Sequence, residues 1–289
     1  MSVRIVVDST CDLLPALRER VRVANLTVYF GEEEYIDGVT LTAEGFYEKL
    51  AESKVMPTTS QATPFAFGQI FDELVEAGDE VVCITCSSGL SGTYQSADIA
   101  ADDHEGKVFV VDSQNIALSS AILAEYALRL VDEGKSAKEI YEELMAVRGK
   151  AHLFAVVDTL EFLQRGGRVS KTTAVVGSIL NIKPLMGLSN DGKLGQAGTV
   201  RGRKKSLLAL VDYMEDRIKG YEELNDMVGI VHGDCLEDAK FVAEQVTKRF
   251  GITNIMICDV NPSIGVHSGP GALGLLFFEI GRASCRERV

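Results

Sequence analysis

Nothing in this 289-residue chain approaches the roughly 18 consecutive apolar residues that a membrane-crossing helix needs. Met1–Asp8 also lacks the charged-then-apolar pattern of a secretion signal. Cations are scarce: 29 Lys and Arg stand against 42 Asp and Glu. The formal charge of −13 argues against non-specific nucleic-acid binding and against an anionic membrane surface as a resting place. There is no P-loop, no protein-kinase motif and no cluster of metal ligands, which excludes the chain itself as an ATP-dependent phosphotransferase. The cysteines (Cys11, Cys83, Cys86, Cys235, Cys258, Cys285) are scattered, several in strand-like apolar runs. Free thiols in a reducing compartment are therefore expected rather than disulfides, and with no signal or spanning segment the chain reads as cytosolic.

What is present is ordinary for a globular protein: 46% hydrophobic and 25% charged residues, enough for one large domain or two of common size. The stretch Val81–Ala97, VVCITCSSGLSGTYQSA, reads as a buried strand, a Ser/Gly turn and the start of a helix. Unpaired N–H groups and the positive end of a helix dipole meet at such a turn, which suits an anionic head group. Ser87, Ser88, Ser91 and Thr93 add hydroxyls, and Gly89 and Gly92 allow close approach to the backbone.

Around this stretch the first half alternates strands and helices. Arg4–Asp8, Asn25–Phe30, Tyr35–Ile36, Val81–Ser87 and Lys107–Asp112 read as strands. Thr42 caps a helix through Ser53, Thr63-Pro64 starts another that Gly78 ends, and Ser136 with Glu139 forms a capping box. Further helices are expected over Ser91–Asp103 and Asn115–Asp132, and Met56–Gln61 reads as a loop. Alternation of this kind predicts a three-layer α/β/α domain on a parallel sheet over 1–150. The second half differs. Pro184–Leu188 and Lys193–Val200 flank Asn190-Asp191-Gly192, a hairpin signal that requires antiparallel pairing. Leu153–Val157, Met227–His232 and Asn254–Asp259 read as strands; Leu160–Arg165, Arg203–Lys219 and Cys235–Phe250 read as helices, with Thr173–Leu180 small and apolar. A second α/β domain with a mixed sheet is expected over 151–281. Residues 282–289, RASCRERV, are basic in an acidic protein and read as a non-native tail.

Three motifs compete with bland readings. Cys83 and Cys86 spell C-x-x-C, but residues three apart on a strand face opposite sides, so these are core thiols. Gly269–Gly274 fits G-x-G-x-x-G without room for a βαβ unit, and is rejected as a dinucleotide site. Gly89–Thr93 nearly matches the nucleophile elbow G-x-S-x-G. With Asp112 or Asp158 and His267, it offers a serine hydrolase with Ser91 as nucleophile as the rival reading. His267 lies in an expected loop, Val266–Gly271, where packing does not demand imidazole. Arg165 and Arg168 flank a glycine pair and could present a guanidinium to an anion. Arg201, Arg203, Lys204 and Lys205 form the dense basic cluster of the chain, a candidate docking patch.

The segments VDST at 7–10, TTSQATP at 58–64, SSGLSGTYQSA at 87–97, FLQRGGR at 162–168, IKPL at 182–185 and VHSGPGALGL at 266–275 together resemble the DegV family of bacterial fatty-acid-binding proteins. The resemblance implies two α/β domains with one long-chain fatty acid in an apolar tunnel between them and no other cofactor. It implies that Thr59, Ser60, Ser91 and His267 hold the carboxylate. Ser88, Gly92, Thr93 and Arg168 would lie around the head group and cleft mouth. Ala62-Thr63 departs from the more usual proline and serine after TSQ. The implied role is a non-catalytic subunit presenting the carboxyl group to a separate dihydroxyacetone-kinase-like ATP-binding protein for phospholipid synthesis. Arg201, Arg203 and Lys204 would dock that partner, and transient membrane contact is compatible with the role. A carrier of another amphiphile, such as a retinoid or lysolipid, is the remaining alternative.

Overall fold

The computed structural model describes residues 2–13, 15–170, 181–218 and 228–278. In chain order its first elements are β1 (Val3–Asp8), α1 (Pro15–Arg18), β2 (Val21–Ala24), β3 (Thr27–Phe30), β4 (Glu33–Ile36), α2 (Ala43–Glu52), β5 (Thr58–Ser60) and α3 (Pro64–Glu76). Next come β6 (Glu80–Thr85), α4 (Thr93–Ala101), β7 (Val108–Asp112), α5 (Leu118–Asp132) and α6 (Ala137–Val147). The second half holds β8 (Ala151–Val156), α7 (Glu161–Arg165), β9 (Ile182–Leu188), β10 (Leu194–Arg201), α8 (Arg203–Ile218), β11 (Val228–His232) and α9 (Leu236–Phe250). It closes with β12 (Ile255–Asp259), α10 (Pro262–Ser268) and β13 (Leu273–Phe278).

The predicted architecture is present. Strands β2-β1-β6-β7 form a parallel sheet, because each connection runs over a face and returns in the same direction. Its strands are apolar on both sides. Val6, Val81 and Cys83 pack with Phe67 and Phe71 of α3 and Ala97 of α4 on one face. Ile5, Val7, Val82 and Ile84 pack with α5 and α6 on the other. This is a helix–sheet–helix sandwich. The second sheet, β10-β9-β8-β13-β11-β12, is antiparallel except for β11 and β12. Helices α8 and α9 cover its outer face through Leu207, Leu210, Val211, Val242 and Val246. Its inner face meets α5, so the core around Leu118, Ala121 and Leu128 also takes in Leu153, Val231 and Leu276. One helix therefore serves both sheets.

Helix starts follow their capping residues. Thr42 and Thr63 accept from the Gly45 and Ala66 N–H groups, and the Ser136–Glu139 capping box closes in both directions. The expected hairpin is there: β9 and β10 pair antiparallel, with Gly192 at φ +71° and its N–H on the Ser189 carbonyl at 2.8 Å.

Several expectations are corrected. Met56–Gln61 is not all loop: Thr58–Ser60 is β5, which pairs with β3 in a small antiparallel sheet, β4-β3-β5. Val266–Gly271 is not a loop throughout either, because His267 and Ser268 form the end of α10, opened by Pro262 in its first turn. The α5 helix starts at Leu118 rather than Asn115, since Gln114 and Ala117 take φ of 53° and 62° and break helical geometry. Strands β2 and β13 were not anticipated, and β13 sits in the middle of the mixed sheet. The expectations for Thr173–Leu180 and for the tail from residue 282 lie outside the described residues.

Candidate functional site

A cavity of about 340 Å³ lies where the two halves face each other. Its walls are apolar: Leu153 and Ala155 of β8, Leu163 of α7, Met186 of β9, Leu194 of β10 and Leu273 of β13 from the second half. Leu26, Ile116 and Ala117 close it from the first half. The small residues Ala117, Ala155, Ala272 and Gly274 along this wall leave the volume that larger side chains would fill.

Polar groups from four parts of the chain line the same cavity. Thr59 and Ser60 arrive on β5, Ser91 and Gly92 on the turn before α4, Arg168 after α7, and His267 on the last turn of α10. The Thr59 hydroxyl and His267 Nε2 are 2.9 Å apart although 208 residues separate them in sequence. Arg168 Nε donates to the Leu90 carbonyl at 3.1 Å and its Nη1 to the Gly166 carbonyl at 2.6 Å, which ties the glycine pair to the Ser/Gly turn. Gly166 makes room for the imidazole, since a methyl group there would overlap His267 Nδ1. Gln61, which donates to Ser96 Oγ at 2.7 Å, packs against Gly92 in the same way.

Burial and, secondarily, the Arg168 charge lower the His267 pKa to about 4, so the imidazole is neutral near pH 7. Its Nδ1 is buried without a hydrogen-bond partner among the described residues. Arg168, half-buried, has its own pKa lowered by desolvation. A cation and several uncharged hydroxyl and imidazole groups therefore meet at one place in an apolar wall. Such a set can hold an acidic head group by charge and by donated hydrogen bonds.

The other expected residues fall elsewhere. Thr93 is buried behind the wall, its hydroxyl 2.8 Å from that of Ser91. Ser88 is exposed and does not line the cavity, with its N–H and hydroxyl on Asp112 at 3.1 and 2.6 Å. In the basic cluster, Arg203 is an internal clamp: it reaches Asp238 at 2.7 Å, Asp158 at 3.4 Å and Cys235 Sγ at 3.5 Å. Lys204 lies over the Phe241 ring, and Arg201 is exposed at the end of β10. Arg165 pairs with Glu161 on its own helix at 2.5 Å.

The hydrolase arrangement is not assembled. The Ser91 hydroxyl is engaged with Thr93, Asp112 with Ser88 and Gln114, and Asp158 with Lys183 and Arg203. Among the described residues no carboxylate orients His267 Nδ1, and a triad is defined by that geometry. Cys86, Gln61 and Met186 are among the lining residues that sequence reasoning does not identify. Cys86 was read as core alone, whereas it is buried and also lines the cavity. Gln61 and Met186 carried no signal beyond their place in a motif and a strand.

These features define a class of protein: two α/β halves, one parallel and one mixed sheet, enclosing an apolar cavity with a polar cluster in its wall. Comparison with known proteins is specific. Residues 2–279 match the family described as "Uncharacterised protein, DegV family". A DegV domain-containing protein of Clostridium perfringens is 35% identical over 282 residues, covering 94% of this chain and 96% of the relative. Among solved structures, a DegV family protein from Thermus thermophilus, described by its fatty acid binding, superposes with a TM-score of 0.88 at 31% identity. That match covers 96% of this chain and 99% of the other. A DegV family protein from Eubacterium eligens loaded with heptadecanoic acid gives 0.84 at 28% identity over the same shares. The chain belongs to the DegV family.

Proposed function

We propose that this protein binds a long-chain fatty acid in the cavity between residues 1–150 and 151–281, which act as its two domains. Thr59, Ser60, Ser91 and His267 hold the carboxyl group, with Arg168 beside them. The observation that carries the reading is the position of the Thr59–His267 pair and Arg168 in the wall of a largely apolar cavity. The fatty acids of the Thermus and Eubacterium relatives support it.

The chemistry is consistent from both ends. Each buried methylene is worth about 0.8 kcal/mol relative to water, but a bilayer offers nearly the same, so an apolar cavity alone does not favour the protein. The head group must tip the balance. With Nε2 protonated, His267 donates to the Thr59 oxygen and leaves the Thr59 hydroxyl hydrogen for the ligand. Nδ1 then needs no acceptor, which suits its unpartnered position over Gly166. Arg168 supplies the positive field for a carboxylate.

In the same reading the protein works in the cytoplasm as a non-catalytic subunit. It presents the carboxyl group to a separate ATP-dependent, dihydroxyacetone-kinase-like protein that makes acyl-phosphate for phospholipid synthesis. Arg201 and Lys204 would face that partner, whereas Arg203 is occupied internally.

Native mass spectrometry of the purified protein, followed by denaturation and organic extraction, tests the binding step. A non-covalent increment equal to a long-chain fatty acid, lost on denaturation, is expected. A protein that carries none and takes up none when it is supplied would overturn the reading.

A further inference from the structure

A second, smaller cavity of about 150 Å³ lies across the end of β1 from the first. The carboxyl ends of β1 and β12 meet there, together with the residues just after β2 and β4 and the start of α2. Crevices beyond the carboxyl ends of parallel strands are where α/β sheets bind ligands. This one is acidic. Asp12, Asp37 and Asp259 line it, Asp8 is close enough to act on Asp37, and Arg18 is the lining cation.

The three lining carboxylates differ in how they are satisfied. Asp37 accepts from Ser9 Oγ at 2.7 Å and from the Ser263 N–H at 3.3 Å. Asp259 is more than half exposed, 3.4 Å from His232 Nδ1. Arg18 Nη2 donates to the Gly38 carbonyl at 3.2 Å rather than to a carboxylate. Asp12 is different: it is 5% exposed, and neither carboxylate oxygen has a hydrogen-bond partner among the described residues. The Asn261 backbone N–H approaches it without completing a bond. Desolvation therefore keeps Asp12 neutral in the unliganded protein, with its oxygens unsatisfied by the protein's own groups, and ionising it calls for a cation from outside.

We propose that this crevice is a site for a small monovalent cation, an ammonium-type group or an alkali ion, held by Asp12 and Asp259 at the base of α10. No set of three or more His, Cys, Asp or Glu among the described residues is arranged to close on a metal ion, which disfavours a tightly ligated divalent metal. The volume matches a small cation with its water, at roughly 30 Å³ per water molecule. Desolvation holds the Asp12 pKa well above its ordinary value in the unliganded protein, and a bound cation would bring it down. The site is also placed to matter. Asn261 lines it, precedes the first residue of α10 and spends its side chain on the Ser9 carbonyl at 2.8 Å rather than on a capping bond, so a cation there would brace the segment that leads into the helix carrying His267.

The test compares thermal melting of the full-length protein in potassium, ammonium, methylammonium and choline chlorides at one ionic strength. A saturable rise of about 2–4 °C in at least one of the first three over choline is expected, as for any ligand bound only by the folded state. Asp12→Asn abolishes that increment. If this variant does not fold, Asp259→Asn, at an exposed position, shifts the saturation to higher salt. Identical melting in all four salts would overturn the proposal, as would an increment that survives both substitutions. Crystals grown in rubidium chloride give an independent reading: an anomalous peak beside Asp12 supports the site, and water alone there sinks it. Neither result depends on whether the large cavity holds a fatty acid.

Discussion

His267 carries the sharpest predictions at the level of single residues. Its folded pKa of about 4 lies below the ordinary histidine value of about 6.5. Between those pH values the unfolded chain binds a proton there that the folded protein does not. The contribution of His267 to stability is therefore full above pH 6.5 and is lost as the pH falls toward 4. Asp37 works in the opposite sense, because burial raises its pKa to about 6 and the folded state takes up its proton first. The histidine effect is read as a difference: urea midpoints of the parent and His267→Gln should diverge at pH 7 and converge toward pH 4. A constant gap would contradict a buried neutral imidazole. Fatty acid affinity should likewise show no histidine titration between pH 6 and 8.

Two neighbours of His267 test the head-group geometry. In the proposed binding mode Thr59→Ala removes a hydrogen bond to the carboxylate, and binding should weaken roughly 10- to 100-fold by titration with a fluorescent fatty acid. Gly166→Ala should weaken it comparably without touching the ligand, because the added methyl displaces the imidazole. Unchanged affinity in Gly166→Ala would show that the imidazole position does not matter.

Among the elements, the β9–β10 hairpin has a fastening that its own sequence does not reveal. Ser87 Oγ, two residues past the end of β6, donates to the Gly192 carbonyl at 2.8 Å, so the tip of the second half is fixed to the first. Gly192→Ala should cost about 1–3 kcal/mol in denaturant unfolding, from left-handed backbone strain and overlap with Ser87. Ser87→Ala should cost about 1 kcal/mol, the hydrogen bond alone.

The same elements show what was readable in advance. Caps at Thr42, Thr63 and Ser136, and the turn at Gly192, are local chemistry and were legible. Strand β5 was not, because Pro57 precedes it and its order comes from pairing with β3. Helix α10 is too short for a period to show, and its Pro, Ser and Gly imitate a loop. The cluster itself depends on topology: nothing local brings Thr59 to His267. Those residues were named through family resemblance, and the cavity wall, made of ordinary Leu, Ala and Gly, was invisible in composition.

For the whole molecule, the sharing of α5 decides how it comes apart. Leu118, fully buried, stands in the core common to both sheets. Leu118→Ala should cost about 2–5 kcal/mol and lower the unfolding of both halves together in one calorimetric transition. Two separated transitions, with only one displaced, would mean that the halves are independent.

That shared helix also sets a timescale. A carrier whose halves swing apart releases cargo as fast as its hinge moves. Here a wide swing would tear the core around α5, so exchange must proceed through local movements at the cavity wall. A fatty acid that has entered should dwell long enough to survive dilution and chromatography. Under the proposed function, delivery would then wait on a receiver that loosens the rim, and handover rather than capture would be the controlled event.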